Sequence, residues 1–149
     1  MRIYLGADHR GFELKEKLKD FLTSRGYDIE DLGNTEYDKN DDYPDFAAAV
    51  ARSVSENAEN RGIVLCGSGV GVDIVTNKFD GVRSVLAANK EQATASRKDD
   101  NTNVLSIAAD YTNFDIAKEI VLTWLKTDFS HDARHERRIH KIEDIEETN

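Results

Sequence analysis

Cysteine, proline, tryptophan and methionine each occur only once in this sequence of 149 residues. A single cysteine cannot form an internal disulfide, which is typical of a protein from a reducing compartment. No apolar run approaches the roughly 18 residues that a membrane-spanning helix needs, and the chain enters a strand pattern directly at its start. We therefore expect no membrane contact, no signal peptide and a cytoplasmic location.

Positive charge is also scarce. The 20 lysines and arginines are outnumbered by 29 aspartates and glutamates, which gives a net charge of −9. This balance argues against nucleic acid as the main partner, and it means that a site for an anion must gather its basic residues locally. With 39% hydrophobic residues, the chain is not expected to be disordered. Its length is that of one domain, residues 1–149, able to bury a core.

Strand and helix patterns alternate along the chain without an internal repeat. The predicted strands are residues 2–7, 27–32, 63–65, 82–88 and 104–108, and the last predicted helix covers residues 133–145. This alternation predicts a Rossmann-like three-layer α/β sandwich with a five-stranded parallel sheet and a C-terminal helix. With the strand order 2-1-3-4-5, the loops after the first and third strands meet at the topological switch point, where open α/β sheets bind ligands.

A glycine-rich turn after the third strand is the centre of the predicted site. It reads Cys66, Gly67, Ser68, Gly69, Val70, Gly71. Glycines let the backbone take positive φ and leave its amides open to a ligand, and a helix that begins after them would add its positive end. A thiol, a hydroxyl and several amides thus converge, which favours chemistry on an oxyanion. The alternative is a tight turn around a buried, inert cysteine.

Other glycine-loop motifs fit this turn less well. A Walker loop has a lysine directly after its last glycine, whereas the first lysine after Gly71 is Lys78. The dinucleotide fingerprint has the spacing Gly-x-Gly-x-x-Gly rather than Gly-x-Gly-x-Gly. The hydrolase nucleophile elbow has a glycine two residues before its serine, where this chain has Cys66.

Several segments carry a resemblance in register: residues 6–12 (GADHRGF), 42–45 (DYPD), 66–71 (CGSGVG) with Asn77 and Lys78 behind them, 100–105 (DNTNVL) and 134–138 (RHERR). Together they resemble the family of ribose-5-phosphate isomerase B and galactose-6-phosphate isomerase. Each segment alone would be weak evidence, but together they cover nearly the whole chain.

The resemblance implies an aldose–ketose isomerase that interconverts ribose 5-phosphate and ribulose 5-phosphate through an enediolate, without cofactor or metal. Cys66 is implied as the base that moves a proton between carbons 1 and 2, because amides can stabilise its thiolate. The amides of residues 67–71 would hold the enediolate oxygens. Ser68, where many relatives have threonine, would relay a proton between those oxygens.

The resemblance also implies the residues that hold the substrate. Asp8 and His9 would bind sugar hydroxyls, with His9 also near the phosphate. Arg134 and Arg138 are four residues apart on a helix and resemble the family's phosphate clamp. The alternative for this basic tail is a solvated helix face, although so many basic residues stand out in an acidic chain. Because the family shares each site between two subunits, we expect a homodimer or a tetramer.

The tail also contains three histidines, His131, His135 and His140. They could be proposed as a metal group, but no carboxylate or cysteine framework accompanies them, so we expect solvated residues and no metal.

Three positions depart from the family pattern. Asp99 and Asp100 stand where most members have His-Asn, and that histidine usually opens the sugar ring. Asp110 replaces an arginine that contacts the phosphate. Asp99 would open the ring in its place if burial and the neighbouring Asp100 keep it protonated, and His9 is the other candidate acid. Asp100 is still expected to contact the substrate.

The departures leave the substrate open. The main hypothesis is a ribose-5-phosphate isomerase, and the first alternative is an isomerase of another sugar phosphate, of the allose or galactose 6-phosphate type. A second alternative is a non-catalytic module that binds sugar phosphates. A thiol hydrolase built on Cys66 and His9 ranks last, because it lacks a convincing third member.

Overall fold

The computed structural model describes residues 1–149, and its elements alternate as predicted. The strands are β1 (Ile3–Ala7), β2 (Ile29–Asp31), β3 (Arg61–Cys66), β4 (Ser84–Leu86) and β5 (Val104–Ala108). The helices are α1 (Phe12–Ser24), α2 (Tyr43–Ser55), α3 (Val70–Thr76), α4 (Lys90–Asp100), α5 (Phe114–Lys126) and α6 (Ala133–Thr148). Strands β2 and β4 are shorter than predicted, whereas α6 runs further toward its C-terminal end.

Four of the six helices begin with a proline or with a side chain that caps the first turn. Pro44 lies in the first turn of α2, where its missing N–H costs no hydrogen bond. The side chains of Asn89, Asn113 and Asp132 cap α4, α5 and α6 by accepting backbone N–H groups at 2.8–2.9 Å. Each cap satisfies a donor that the helix itself leaves unpaired.

All strands are parallel and stand in the order β2-β1-β3-β5-β4. The predicted order 2-1-3-4-5 is therefore wrong at one edge of the sheet. Val104, Leu105 and Ile107 of β5 are fully buried, whereas all three residues of β4 are partly exposed. The longer and more apolar strand thus takes the interior position, and the short one takes the edge, where less of it must be covered. The switch point between β1 and β3 is unaffected.

Two layers of helices cover the sheet. On one face, α1, α4 and α5 pack on the sheet through residues such as Leu18, Ile120 and the fully buried Trp124. On the other face, α2 and α3 contribute a smaller cluster that includes Val50 and Val72. This is the predicted three-layer sandwich. None of the helices combines the length and apolar character needed to cross a membrane.

Helix α6 lies outside these layers and touches α4. Of its three isoleucines, Ile139 is buried, whereas Ile142 and Ile145 are exposed. The tail therefore presents an uncovered apolar face together with its basic residues.

Candidate active site

The turn after β3 holds the cysteine as predicted from the sequence. Cys66 is buried at the end of β3, and the backbone N–H of Gly69 donates to its Sγ at 3.2 Å. Gly69 has a φ of +74°, and a Cβ there would lie 2.5 Å from Leu86. Glycine suits this position, because the left-handed backbone conformation strains other residues and a Cβ would also lie 2.9 Å from the backbone nitrogen of Ala108 in β5. The turn aims a backbone N–H at the sulfur.

The neighbouring hydroxyl is exposed at the mouth of the turn. Ser68 Oγ accepts the backbone N–H of Val70 at 3.3 Å. Gly71 follows in the first turn of α3 and, with Cys66, Gly67, Ser68 and Val70, lines a cavity of about 380 Å3. The predicted loop residues thus surround one small volume, except Gly69, which does not line the cavity.

The register of the sheet brings Asp8 to the same cavity. Ala7 of β1 pairs with Leu65 of β3, so the residues that follow them are neighbours. Asp8 is buried, and its Oδ1 accepts the backbone N–H groups of Arg10 and Gly11 at 3.0 and 3.1 Å. One carboxylate oxygen therefore shapes the turn into α1.

His9 contacts Asp41, a residue that the sequence does not mark as part of a site. Its Nδ1 lies 2.8 Å from Oδ1 of Asp41, which also accepts its backbone N–H. The hydrogen bond to Asp41 raises the pKa of His9, and the nearby Asp8 carboxylate adds to this effect. Asp41 lies in the loop between β2 and α2. No local pattern marked it.

A second chain of contacts fixes Asp41 in place. Its Oδ2 accepts the side-chain amide of Asn34 at 2.7 Å, and the carbonyl of Asn34 accepts a hydrogen bond from the buried Lys15. Lys15 is itself paired with Asp31 at 2.6 Å. The loop that presents Asp41 to His9 is therefore tied to α1 and β2.

Arg10 and Asp110 form an ion pair at the cavity wall. In the sequence, Asp110 departs from the family pattern, whereas nothing marks Arg10 as a site residue. Both side chains lie over Gly67, where a Cβ would come within 2.6 Å of Arg10 Nε and 2.8 Å of Asp110 Oδ2. Glycine at position 67 leaves the room that this pair occupies.

Six predicted site residues do not line this cavity within the single chain. His9 and Gly69 directly follow residues that do, whereas the other four lie on α4 and α6: Asp99, Asp100, Arg134 and Arg138. Asp99 and Asp100 end α4, and Nε2 of His135 lies 3.6 Å from Oδ1 of Asp99. Asp100 faces a different cavity, of about 460 Å3, beside α6. The structure thus separates the predicted residues into a group around Cys66 and a group on α4 and α6.

The two arginines of α6 differ in their surroundings. Arg134 donates from Nε and Nη2 to the carboxylate of Asp132, at 3.1 and 3.0 Å. This pairing raises the pKa of Arg134 and lowers that of Asp132. Arg138 is exposed and forms no side-chain hydrogen bond or ion pair. Nowhere do three or more His, Cys, Asp or Glu side chains converge in a group suited to a metal.

Known proteins with similar sequences belong to the isomerase family that the motifs resemble. The model of the family described as Ribose/Galactose Isomerase matches residues 3–142. The probable ribose-5-phosphate isomerase B of Mycoplasma genitalium is 39% identical over 141 residues, 94% of this chain and 92% of that protein. Ribose-5-phosphate isomerase B of Escherichia coli is 36% identical, over 98% of this chain and 97% of that protein.

Solved structures agree over the whole length. The structure of the Mycoplasma genitalium ribose-5-phosphate isomerase B with bound ribulose-5-phosphate superposes with a TM-score of 0.96 at 38% identity, covering 99% of this chain and 97% of that one. The Clostridium thermocellum ribose-5-phosphate isomerase B gives a TM-score of 0.95 at 40% identity, covering 99% of both chains. With this similarity in sequence and fold, the chain belongs to the ribose/galactose isomerase family.

Proposed function

We infer that this protein is an aldose–ketose isomerase that interconverts ribose 5-phosphate and ribulose 5-phosphate. The observation that supports this most strongly is the position of Cys66, a buried thiol that receives an N–H at the switch point of the sheet. Relatives with nearly full-length similarity are named ribose-5-phosphate isomerase B, and one of them was solved with ribulose-5-phosphate bound.

In the proposed mechanism, the Cys66 thiolate removes the proton from carbon 2 of the open-chain aldose. The electron pair of that bond forms the carbon 1–carbon 2 double bond of an enediolate, and the thiol then returns the proton to carbon 1. Backbone amides of residues 67–71 hold the developing charge on the oxygens. Ser68 moves a proton between the oxygens on carbons 2 and 1, which suits an exposed hydroxyl at the mouth of the turn.

Ribose 5-phosphate is mainly cyclic, so its ring must open before Cys66 can act. We propose His9 as the acid for this step, because Asp41 fixes its ring and raises its pKa, which keeps it protonated at higher pH. Neither candidate lines the Cys66 cavity itself, but His9 directly follows Asp8, which does, whereas Asp99 lies on α4 beside His135 and would reach the cavity only from a partner subunit.

The proposed enzyme is a homodimer with sites shared between subunits. Two observations support this assembly. The group of residues on α4 and α6, which includes Asp99, Asp100, Arg134 and Arg138, does not reach the Cys66 cavity of its own chain. The cavity is also rimmed by exposed apolar residues, Val70, Ile74 and Tyr111, which a second subunit would cover. Arg134 and Arg138 of the partner subunit would then hold the phosphate.

The chemistry needs a reduced thiol and no electron carrier, since both substrate forms have the same oxidation level overall. We therefore propose that the enzyme works without a cofactor and acts in the reducing cytoplasm.

An isomerisation assay tests the function. Ribose 5-phosphate, allose 6-phosphate and galactose 6-phosphate would be offered separately at equal concentrations, and we expect the highest kcat/KM with ribose 5-phosphate. A higher value with a hexose phosphate would assign the protein to the other substrate class of the family. Tight binding without turnover of any sugar would instead support a non-catalytic binding module.

A further inference from the structure

The cavity beside Cys66 is poor in positive charge. Among the residues that line it, Arg10 is the only lysine or arginine, and two carboxylates, Asp8 and Asp110, share the same wall. A phosphorylated sugar brings a charge of about −1.5 to −2 at neutral pH. The one cation that this chain offers inside the cavity is therefore decisive for how such a ligand is received.

In this structure the guanidinium of Arg10 is already paired with the carboxylate of Asp110. Nη2 of Arg10 donates to Oδ2 of Asp110, and both groups rest on the face of Gly67, directly after Cys66. Backbone contacts fix both residues, because Asp110 N donates to the carbonyl of Gly67 at 3.0 Å and Arg10 N donates to Asp8 at 3.0 Å. The side chains remain partly exposed, at 59% for Arg10 and 31% for Asp110. Solvent and ligands can therefore reach the pair.

We propose that Arg10 binds the anionic end of the substrate and that Asp110 competes with the substrate for the same guanidinium. A guanidinium can bind a phosphate through two parallel hydrogen bonds, and a dianion attracts it more strongly than a single carboxylate does. Substrate binding thus exchanges one partner of Arg10 for another. Weakly charged or uncharged sugars cannot make this exchange, so the pair selects for phosphorylated ligands. This inference rests on the proposed function, since it assigns a specificity residue to that site.

The exchange has a measurable signature. Removing the competitor with Asp110→Asn should tighten the binding of ribose 5-phosphate, and removing the cation with Arg10→Ala should weaken it, each by about tenfold. In the double variant, the benefit of Asp110→Asn should disappear, because Asp110 acts only through Arg10. Arg10→Lys should restore part of the affinity as a point charge.

Calorimetric titration in a Cys66→Ala background would measure these affinities without turnover. The ligands are ribose 5-phosphate and unphosphorylated ribose, and we expect only the first to respond to the substitutions. Lys126→Ala, which removes one exposed positive charge from the end of α5, controls for the net charge of the protein.

Unchanged affinity for ribose 5-phosphate in Arg10→Ala or in Asp110→Asn would overturn the inference. So would an equal loss for ribose and ribose 5-phosphate, since the pair would then contact sugar hydroxyls rather than phosphate. Failure of the proposed function has a separate signature: the enzyme with Cys66 intact would not convert ribose 5-phosphate, whatever the affinities of the Arg10 and Asp110 variants.

Discussion

Oδ1 of Asp41 accepts two hydrogen bonds from His9, one from the backbone N–H and one from Nδ1, both at 2.8 Å. This double contact fixes the backbone and the ring together. It also fixes the tautomer, because a proton on Nδ1 leaves Nε2 to exchange protons with a ligand. A pair of residues separated by 32 positions in sequence thus defines the state of the imidazole.

Replacing Asp41 with Asn should lower the pKa of His9 toward that of a free histidine, because the carboxylate favours the imidazolium. If protonated His9 opens the ring, the loss of activity at high pH should begin at lower pH in Asp41→Asn. NMR titration of His9 and the pH profile of kcat measure both effects. Asp38→Asn, in the same loop, is the control, since the only hydrogen bond of the Asp38 side chain is the one it accepts from the backbone N–H of Asn40. Equal titration curves in both variants would refute the role of Asp41.

The pairing of His9 with Asp41 also makes the free energy of unfolding depend on pH. The pKa of His9 is raised in the folded protein, so the folded state holds the proton more tightly than the unfolded state. Its contribution is complete below the pKa of an unfolded histidine, about 6.5, and is lost as the pH rises through the higher folded value. Asp41→Asn should therefore destabilise the protein more at pH 5 than at pH 9, as denaturant titrations at the two values would measure.

Cys66→Ala should reduce isomerisation by roughly 10²-fold or more, because alanine fills the space of the thiol but cannot move a proton. Binding of ribose 5-phosphate and the free energy of unfolding should change little. Turnover and calorimetric affinity, measured on the same preparation, separate the two properties. Turnover equal to that of the unmodified enzyme would rule out Cys66 as the base.

The two candidate acids can be separated from the Cys66 step. Ribulose 5-phosphate cannot close a furanose ring, because its 5-hydroxyl carries the phosphate, so exchange of its carbon 1 proton with D2O needs no ring opening. We expect His9→Asn to slow the consumption of ribose 5-phosphate while this exchange continues. Asp99→Asn should leave both rates near those of the parent. The reverse pattern, with Asp99→Asn impaired in ring opening alone, would assign the acid to Asp99.

Arg138→Ala should raise the KM for ribose 5-phosphate by about tenfold, because a charge-assisted contact to phosphate is lost. Arg137→Ala is a matched control, since both arginines are exposed on α6 but point in different directions around the helix. Arg134→Ala should act in the same direction as Arg138→Ala, although Arg134 must first leave Asp132. If α6 does not contact the substrate, all three variants should have the KM of the parent enzyme, which would contradict the proposed role of these arginines.

Shared sites predict that two impaired variants complement each other at low substrate concentration. Cys66→Ala and Arg138→Ala subunits, mixed and allowed to exchange, should form hybrid dimers in which one site has both Cys66 and Arg138. At ribose 5-phosphate concentrations well below the parental KM, random pairing would then restore about a quarter of the parental rate. Light scattering checks that the mixture is dimeric. Activity that never exceeds the sum of the two separate variants, in a mixture shown to exchange, would contradict a shared site.

The sequence predicted the layers of the fold and the meeting of the two loops well, because strand and helix periodicity is a local property. The positions of β4 and β5 were predicted wrongly, since their order depends on which strand is buried more completely, and Ser84–Leu86 is short and half-buried. Asp41 and Arg10 were not predicted as site residues for a related reason. Each acts on a residue far along the chain, and their partners His9 and Asp110 lie 32 and 100 positions away.

The only tryptophan provides a built-in optical reporter. Trp124 is fully buried, and its indole N–H donates to Thr102 Oγ1 at 3.0 Å, where the chain passes from α4 into β5. A shielded indole emits at shorter wavelength than a hydrated one, so loosening of this junction shifts the spectrum to the red. No competing indole contributes to the signal. Asp99 lies near the end of α4, close to this junction. Intrinsic fluorescence of the unlabelled enzyme therefore shows whether a substitution at Asp99 alters only the chemistry or also the packing of α4 on the sheet.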